Sequence, residues 1–147
     1  MMKFNTKTRY ALRTMIAIAL EGKGKGLLQK EIARRQGISN KYLDAIIRAL
    51  KRKSLIKNVR GKKSGYVLAR PAGEISLYDI HLAFEKEINP IECLQPGYVC
   101  PNMEVCVARL FWMELNKTIK KQMGKTTLAS LVREQRKLLL KKKMKGQ

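Results

Sequence analysis

The stretch from Leu27 to Ile56, LLQKEIARRQGISNKYLDAIIRALKRKSLI, constrains the fold of this 147-residue chain more than any other. Its single glycine, Gly37, falls between two amphipathic runs, so it reads as two helices joined by a tight turn. Ile32 and Ala33 are the inward positions of the first run. Tyr42 or Leu43, Ile46, Ile47 and Leu50 form the buried stripe of the second, at the 3.6-residue helical period. Gly37 supplies a positive-φ turn position, Ile38 plugs the corner, and Ser39 caps the second helix. A small residue, a turn glycine four residues on and a capped helix make the pattern of a helix-turn-helix, which any helical hairpin could share.

What flanks the hairpin narrows it. Asn5 or Thr6 can cap a preceding helix with Leu12, Met15, Ile16, Ala19 and Leu20 on one stripe, ended by the glycines between Glu21 and Gly26. Ile56–Val59 and Tyr66–Leu68 are strand candidates around the basic turn Gly61-Lys62-Lys63-Ser64-Gly65, and Pro71 closes the second. Such a hairpin after a helix-turn-helix is a wing. A plain hairpin with a solvated lysine tip is the alternative, but Arg60, Lys62 and Lys63 extend the charge of the preceding helix. Ser76 to Asp79 is a capping box opening a short helix with Ile80 and Phe84 on its inner face. Residues 85–105 hold three prolines and no apolar period, hence a loop. A long helix from about Cys106 to Met123 carries Ala108, Phe111, Trp112, Leu115, Ile119 and Met123 on one side. A last helix, from Thr126 or Thr127, buries Leu128, Leu131, Val132 and Leu138. The expected fold is therefore mainly α: a winged helix-turn-helix over 1–84, a cysteine-bearing sensor loop over 85–105, dimerisation helices over 106–140 and a frayed basic tail over 141–147.

The charge is divided along the chain. Net charge is +21; residues 1–70 carry 19 Lys/Arg against three acids, residues 71–100 carry one Lys against five, and residues 101–147 carry 12 against three. A positive field concentrated on the first half suits a phosphate backbone, whereas a generally lysine-rich surface does not explain the acidic middle. Asn40, Lys41 and Asp44 occupy the exposed N-terminal side of the second hairpin helix, the end that reaches base edges in a major groove. No run is apolar enough for a membrane span, and the start MMKFNTKTRYALR lacks a signal peptide's apolar core, so the expected compartment is the cytoplasm.

Cys93, Cys100 and Cys106, the chain's three cysteines, fall within fourteen residues. In that compartment they read as metal ligands or redox-active thiols rather than disulfide partners. The C-x6-C-x5-C spacing matches neither a zinc ribbon nor a ferredoxin run, so an iron–sulfur cluster, zinc and free redox thiols all stay open. Glu92 and Glu104 stand close to the cysteines as further oxygen donors, though each more commonly is solvated. The single histidine, His81, lies away from them on the short helix, as a surface or packing residue. Neither a nucleophile–base set nor a phosphate-cradling glycine loop appears, which argues against an enzyme. A nucleoid-packing protein would need the charge but not the cysteine loop; an electron carrier would need the loop but not the reading head.

In this order the segments TKTRYALR, EIARRQGISNKYLDAIIRALKRKSLI, NVRGKKSGYVLARP, ISLYDIHLAFE and LFWMELNKTIKKQMGKTTLASLV resemble the IscR/NsrR group of bacterial winged-helix regulators, the Rrf-two family, over residues 3–135. The resemblance implies a homodimer that binds double-stranded DNA at a palindromic operator, with Lys41, Asp44 and Arg60 at reading positions and Lys62 and Lys63 on phosphates. It further implies an iron–sulfur cluster, 2Fe-2S or 4Fe-4S, on Cys93, Cys100 and Cys106 as the switch of a repressor. IscR-like members take a fourth ligand from a histidine three residues after the third cysteine, where this chain has Arg109. NsrR-like members take it from an aspartate in the first helix, where this chain has Arg9.

Overall fold

A computed structural model describes residues 4–60 and 64–146 of the chain. Among the described residues, six α-helices and a two-stranded antiparallel sheet follow in the order α1 (Thr6–Glu21), α2 (Gln29–Gln36), α3 (Asn40–Arg52), β1 (Ile56–Asn58), β2 (Tyr66–Leu68), α4 (Leu77–His81), α5 (Val107–Lys125) and α6 (Leu128–Lys145). The fold is a mainly helical winged helix-turn-helix with a β-hairpin wing and long C-terminal helices, as the sequence leads one to expect.

The helix-turn-helix follows from local chemistry. Gly37 sits in the left-handed region at φ 64°, where its N–H closes the end of α2 on Ala33 and Arg34. The Ser39 hydroxyl accepts from the Tyr42 N–H and starts α3. Leu43, Ile46, Ile47, Ala49 and Leu50 then face inward to meet Ile32, Ala33, Met15 and Ile18. Each of the larger of these side chains contributes about 1.5–3 kcal/mol by leaving water. The wing pairs Ile56 with Leu68 and Asn58 with Tyr66. Leu27 adds a third, one-residue strand: its N–H donates to the Tyr66 carbonyl at 3.0 Å and its carbonyl accepts from Tyr66 at 2.9 Å. That pairing requires two glycines, because a Cβ on Gly65 would come within 2.5 Å of the Gly26 backbone. The glycine run after α1 is therefore a docking point for the wing as well as a helix end.

Several details depart from the pattern read in the sequence. The deepest ridge of α1 is Ala11, Met15 and Ile18 with Thr8 and Thr14, while Leu12, Ile16, Ala19 and Leu20 are half-buried. Helix α1 packs against α2 and α3 on one side and α6 on another, so two faces are apolar, and the stripe read from periodicity takes Met15 from the deeper one and its other members from residues packed more shallowly on the core. Of the two roles read for His81, surface or packing, the structure has packing: it is 2% exposed, stacked on Tyr78, with Nε2 3.2 Å from the Lys86 carbonyl oxygen. Helix α6 runs on to Lys145, through the stretch expected to fray, and Leu138 on it is 60% exposed rather than buried. Leu128 and Val132 of α6 belong to the same core as α1 and α3. Two backbone hydrogen bonds, Leu77 N–H to the Thr126 carbonyl and Leu128 N–H to the Ile75 carbonyl, join the start of α6 to the start of α4. The first turns of α6 are thus built into the head.

Candidate nucleic-acid interface and thiol loop

The capped N-terminal half of α3 presents Asn40, Lys41 and Asp44 to solvent, and Arg48 follows one turn further along the same face. Helix α3 buries its apolar stripe completely, so this opposite face is free for a ligand. Arg60 is also exposed, just past the Val59–Gly65 hydrogen bond that closes the wing strands. Lys62 and Lys63 lie outside the described residues.

Asp44 is not a loose surface acid. The Gln29 side-chain Nε2 donates to the Asp44 carboxylate, and the Tyr66 hydroxyl donates to Gln29 Oε1 at 3.0 Å. Burial, reinforced by the nearby Asp44 charge, pushes the Tyr66 phenol above its ordinary value and keeps it a donor. Sequence reading missed Gln29 and Tyr66, because the three residues belong to different elements and no local pattern joins them.

Beyond Asp44 the same face runs into a cationic cleft of about 500 Å³ between α3 and the start of α1, lined by Lys7, Arg48, Lys51 and Arg52. Arg48 was legible as the position seven residues after Lys41. The cations of α2 are occupied differently. Arg34 and Arg35 both bind Glu31, at 2.7 Å each, and Arg35 also pairs with Glu21 at the end of α1. Those hydrogen bonds, from Arg34 first and Arg35 second, hold the Glu31 carboxyl down at about 2. Free positive charge is thereby concentrated on the α3 side.

The cysteines occupy three different local settings. Cys93 lies in a short 3-10 turn, Glu92–Leu94, against α5. Cys100 precedes a second turn and its carbonyl accepts from Met103. Cys106 is the N-cap of α5, its sulfur accepting from the Arg109 N–H at 3.4 Å. All three are free thiols, half-buried. Asn116 with Asn89, and Lys120 with Glu87, tie the start of the loop to α5. Contact with the Lys120 ammonium lowers the Glu87 carboxyl below its ordinary value.

A family model described as an iron-dependent transcriptional regulator, Rrf2, matches residues 4–134. The chain belongs to the Rrf2 family. Protein rrf2 of Nitratidesulfovibrio vulgaris (strain Hildenborough) is 38% identical over 133 residues, spanning 90% of this chain and 89% of that protein. Among solved structures, CymR, the global cysteine regulator of B. subtilis, superposes with a TM-score of 0.76 at 30% identity, covering 91% of this chain and 98% of that one. T. potens IscR superposes at 0.72 with 28% identity over 90% and 88% of the two chains. This Rrf2 chain is a DNA-binding transcriptional regulator and not an enzyme.

Sulfur donors suit iron–sulfur ligation, but the positions do not fit it. Among the described residues no three His, Cys, Asp or Glu side chains are grouped so as to hold a metal ion. At the fourth position Arg109 turns its guanidinium along α5 to the Met113 sulfur, 3.2 Å away, and leaves its buried Nε without a partner. Arg9 lies exposed on α1 beside the groove that holds Ile119. As folded, the loop carries thiols rather than a preformed cluster cage.

Proposed function

We propose that this Rrf2 chain is a sequence-specific repressor that binds a palindromic operator as a homodimer, and that its thiol loop sets operator affinity. One observation carries the reading: Asn40, Lys41, Asp44 and Arg48 form an exposed row on a helix whose other face is sealed in the core, beside the exposed wing residue Arg60. The N-terminal end of such a helix reads base edges in the major groove. Arg60 reads bases or a narrow minor groove, and Lys62 and Lys63 hold phosphates. Val107, Leu110, Phe111 and Met113 leave α5 with an apolar surface that a second copy covers, pairing two heads on two half-sites.

For the switch, the iron–sulfur reading rests on three thiols within one loop and on the iron-dependent character of the family. It requires the loop to close, since the sulfurs do not converge. The second reading, direct oxidation of the thiols with no cluster, is favoured by that same separation and by likeness to a cysteine regulator. In both, the loop between head and α5 changes the angle between the two heads; tenfold in affinity corresponds to about 1.4 kcal/mol of differential binding.

The test is anaerobic purification with iron, sulfide and zinc analysis, followed by footprinting during oxidant titration. Bound iron and sulfide with affinity that shifts on cluster loss supports the first reading. Iron-free protein whose affinity follows thiol oxidation supports the second. Full affinity that ignores oxidant, even after anaerobic reconstitution, leaves a plain winged-helix repressor and ends both.

A further inference from the structure

The Tyr66–Gln29–Asp44 chain of hydrogen bonds spans three elements: the wing strand β2, the first residue of α2 and the recognition helix α3. Its polarity is fixed from one end. A carboxylate accepts and never donates, so the Gln29 amide must turn its NH2 to Asp44 and its oxygen to Tyr66. Tyr66 must then donate, and its half-buried, desolvated setting favours the protonated hydroxyl that can do so. Neither end of the amide is free to flip. Gln29 Nε2 also lies 3.5 Å from the Asn40 carbonyl oxygen, on the first turn of α3.

An exposed aspartate without such support would sample several rotamers and swing away from an unwelcome neighbour. Held still, its carboxylate meets amino groups such as cytosine N4 or adenine N6 and opposes the acceptor-only edge of guanine. A fixed acceptor facing an acceptor leaves desolvated lone pairs unpaired, so rigidity converts tolerance into rejection.

We propose that Gln29 and Tyr66 are positioning residues that hold the Asp44 carboxylate still and so set the base preference, for an amino-bearing base, at one position of each operator half-site. This rests on the reading of Asp44 as a base-contacting residue given above. The two residues act through Asp44, and Tyr66 links the seating of the wing to the aim of the recognition helix.

The experiment uses the full chain and selection from a randomised duplex library, followed by affinities for duplexes carrying each base pair at the Asp44-dependent position. Asp44→Asn should change preference at one symmetric pair of positions. Gln29→Leu, apolar, shorter and unable to donate, should reduce discrimination at those same positions by about tenfold, chiefly by improving binding to disfavoured bases. Tyr66→Phe, which removes one oxygen and little else, should give a smaller loss there. Affinity for random DNA and the unfolding temperature should stay unchanged. Gln29→Leu added to Asp44→Asn should have no further effect on preference. If Asp44→Asn leaves preference untouched, the base-reading role of Asp44 fails and this inference with it. If Asp44→Asn changes preference but Gln29→Leu and Tyr66→Phe do not, or weaken all sequences alike, the two residues are struts and the positioning role is overturned.

Discussion

Helices α3 and α5 carry comparable apolar content and put it to opposite uses. In the thirteen residues of α3, Leu43, Ile46, Ile47, Ala49 and Leu50 are buried within the chain's own core. In the nineteen of α5, Met123 alone is buried, while Leu110 and Phe111 are 63% and 61% exposed. One helix is finished by the monomer and leaves its polar face free. The other is unfinished and leaves its apolar face free. A helix of the first kind presents side chains to a polyanion; a helix of the second kind needs more protein. Trp112, Leu115 and Ile119 of the expected dimer stripe are half-buried, with Ile119 in the groove beside α1, so the free surface centres on Leu110 and Phe111.

The sharpest test of that contrast is truncation on the finished side. Leu50→Ala empties a fully buried site and should cost about 2–5 kcal/mol of folding stability, read by denaturant unfolding. A loss below 1 kcal/mol would mean that α3 is not the keystone of the head. On the unfinished side, Phe111→Asp should lower stability of the head by less than about 0.5 kcal/mol, since the residue is exposed. It should nonetheless convert dimer to monomer in sedimentation and lower operator affinity. Unchanged sedimentation would remove this face as the dimer contact and erase the distinction between the helices.

The smallest effect concerns the junction of loop and α5. Cys106→Ala removes the cap acceptor and should cost about 0.5–1 kcal/mol, seen as fraying of the first turn of α5 by amide exchange. Cys106→Ser keeps a cap oxygen, so it should retain the turn yet lose the response to oxidant. If serine also preserves that response, the Cys106 thiol has a structural role and nothing more.

What could be read in advance was local. Gly37, Ser39 and the period of α3 each act within a few residues, and the Ser76–Asp79 capping box likewise closes on itself, with both of its hydrogen bonds formed. The inner face of α1 was legible only in part, Met15 being the one fully buried member of the stripe read there, because α6, more than a hundred residues away, covers a second side of the helix. Leu138 was misjudged because nothing in the α6 pattern shows where its underlying support ends. Cysteine spacing indicated a shared loop, but convergence of thiols depends on turn geometry at Glu92–Leu94 and Met103–Val105 that the spacing leaves open.

By itself the sequence determined a basic winged helix-turn-helix followed by a thiol loop and long helices, because caps, turn glycines and apolar periodicity are short-range chemistry. The tertiary structure alone decided that Arg35 of α2 is also held by Glu21 at the end of α1, whereas its contact with Glu31, like that of Arg34, lies within a single helix. It alone also decided that Asp44 is held in place, through a glutamine and a tyrosine 37 residues apart. Side-chain hydrogen bonds between separate elements form only after packing has set their distance, so no reading along the chain contains them.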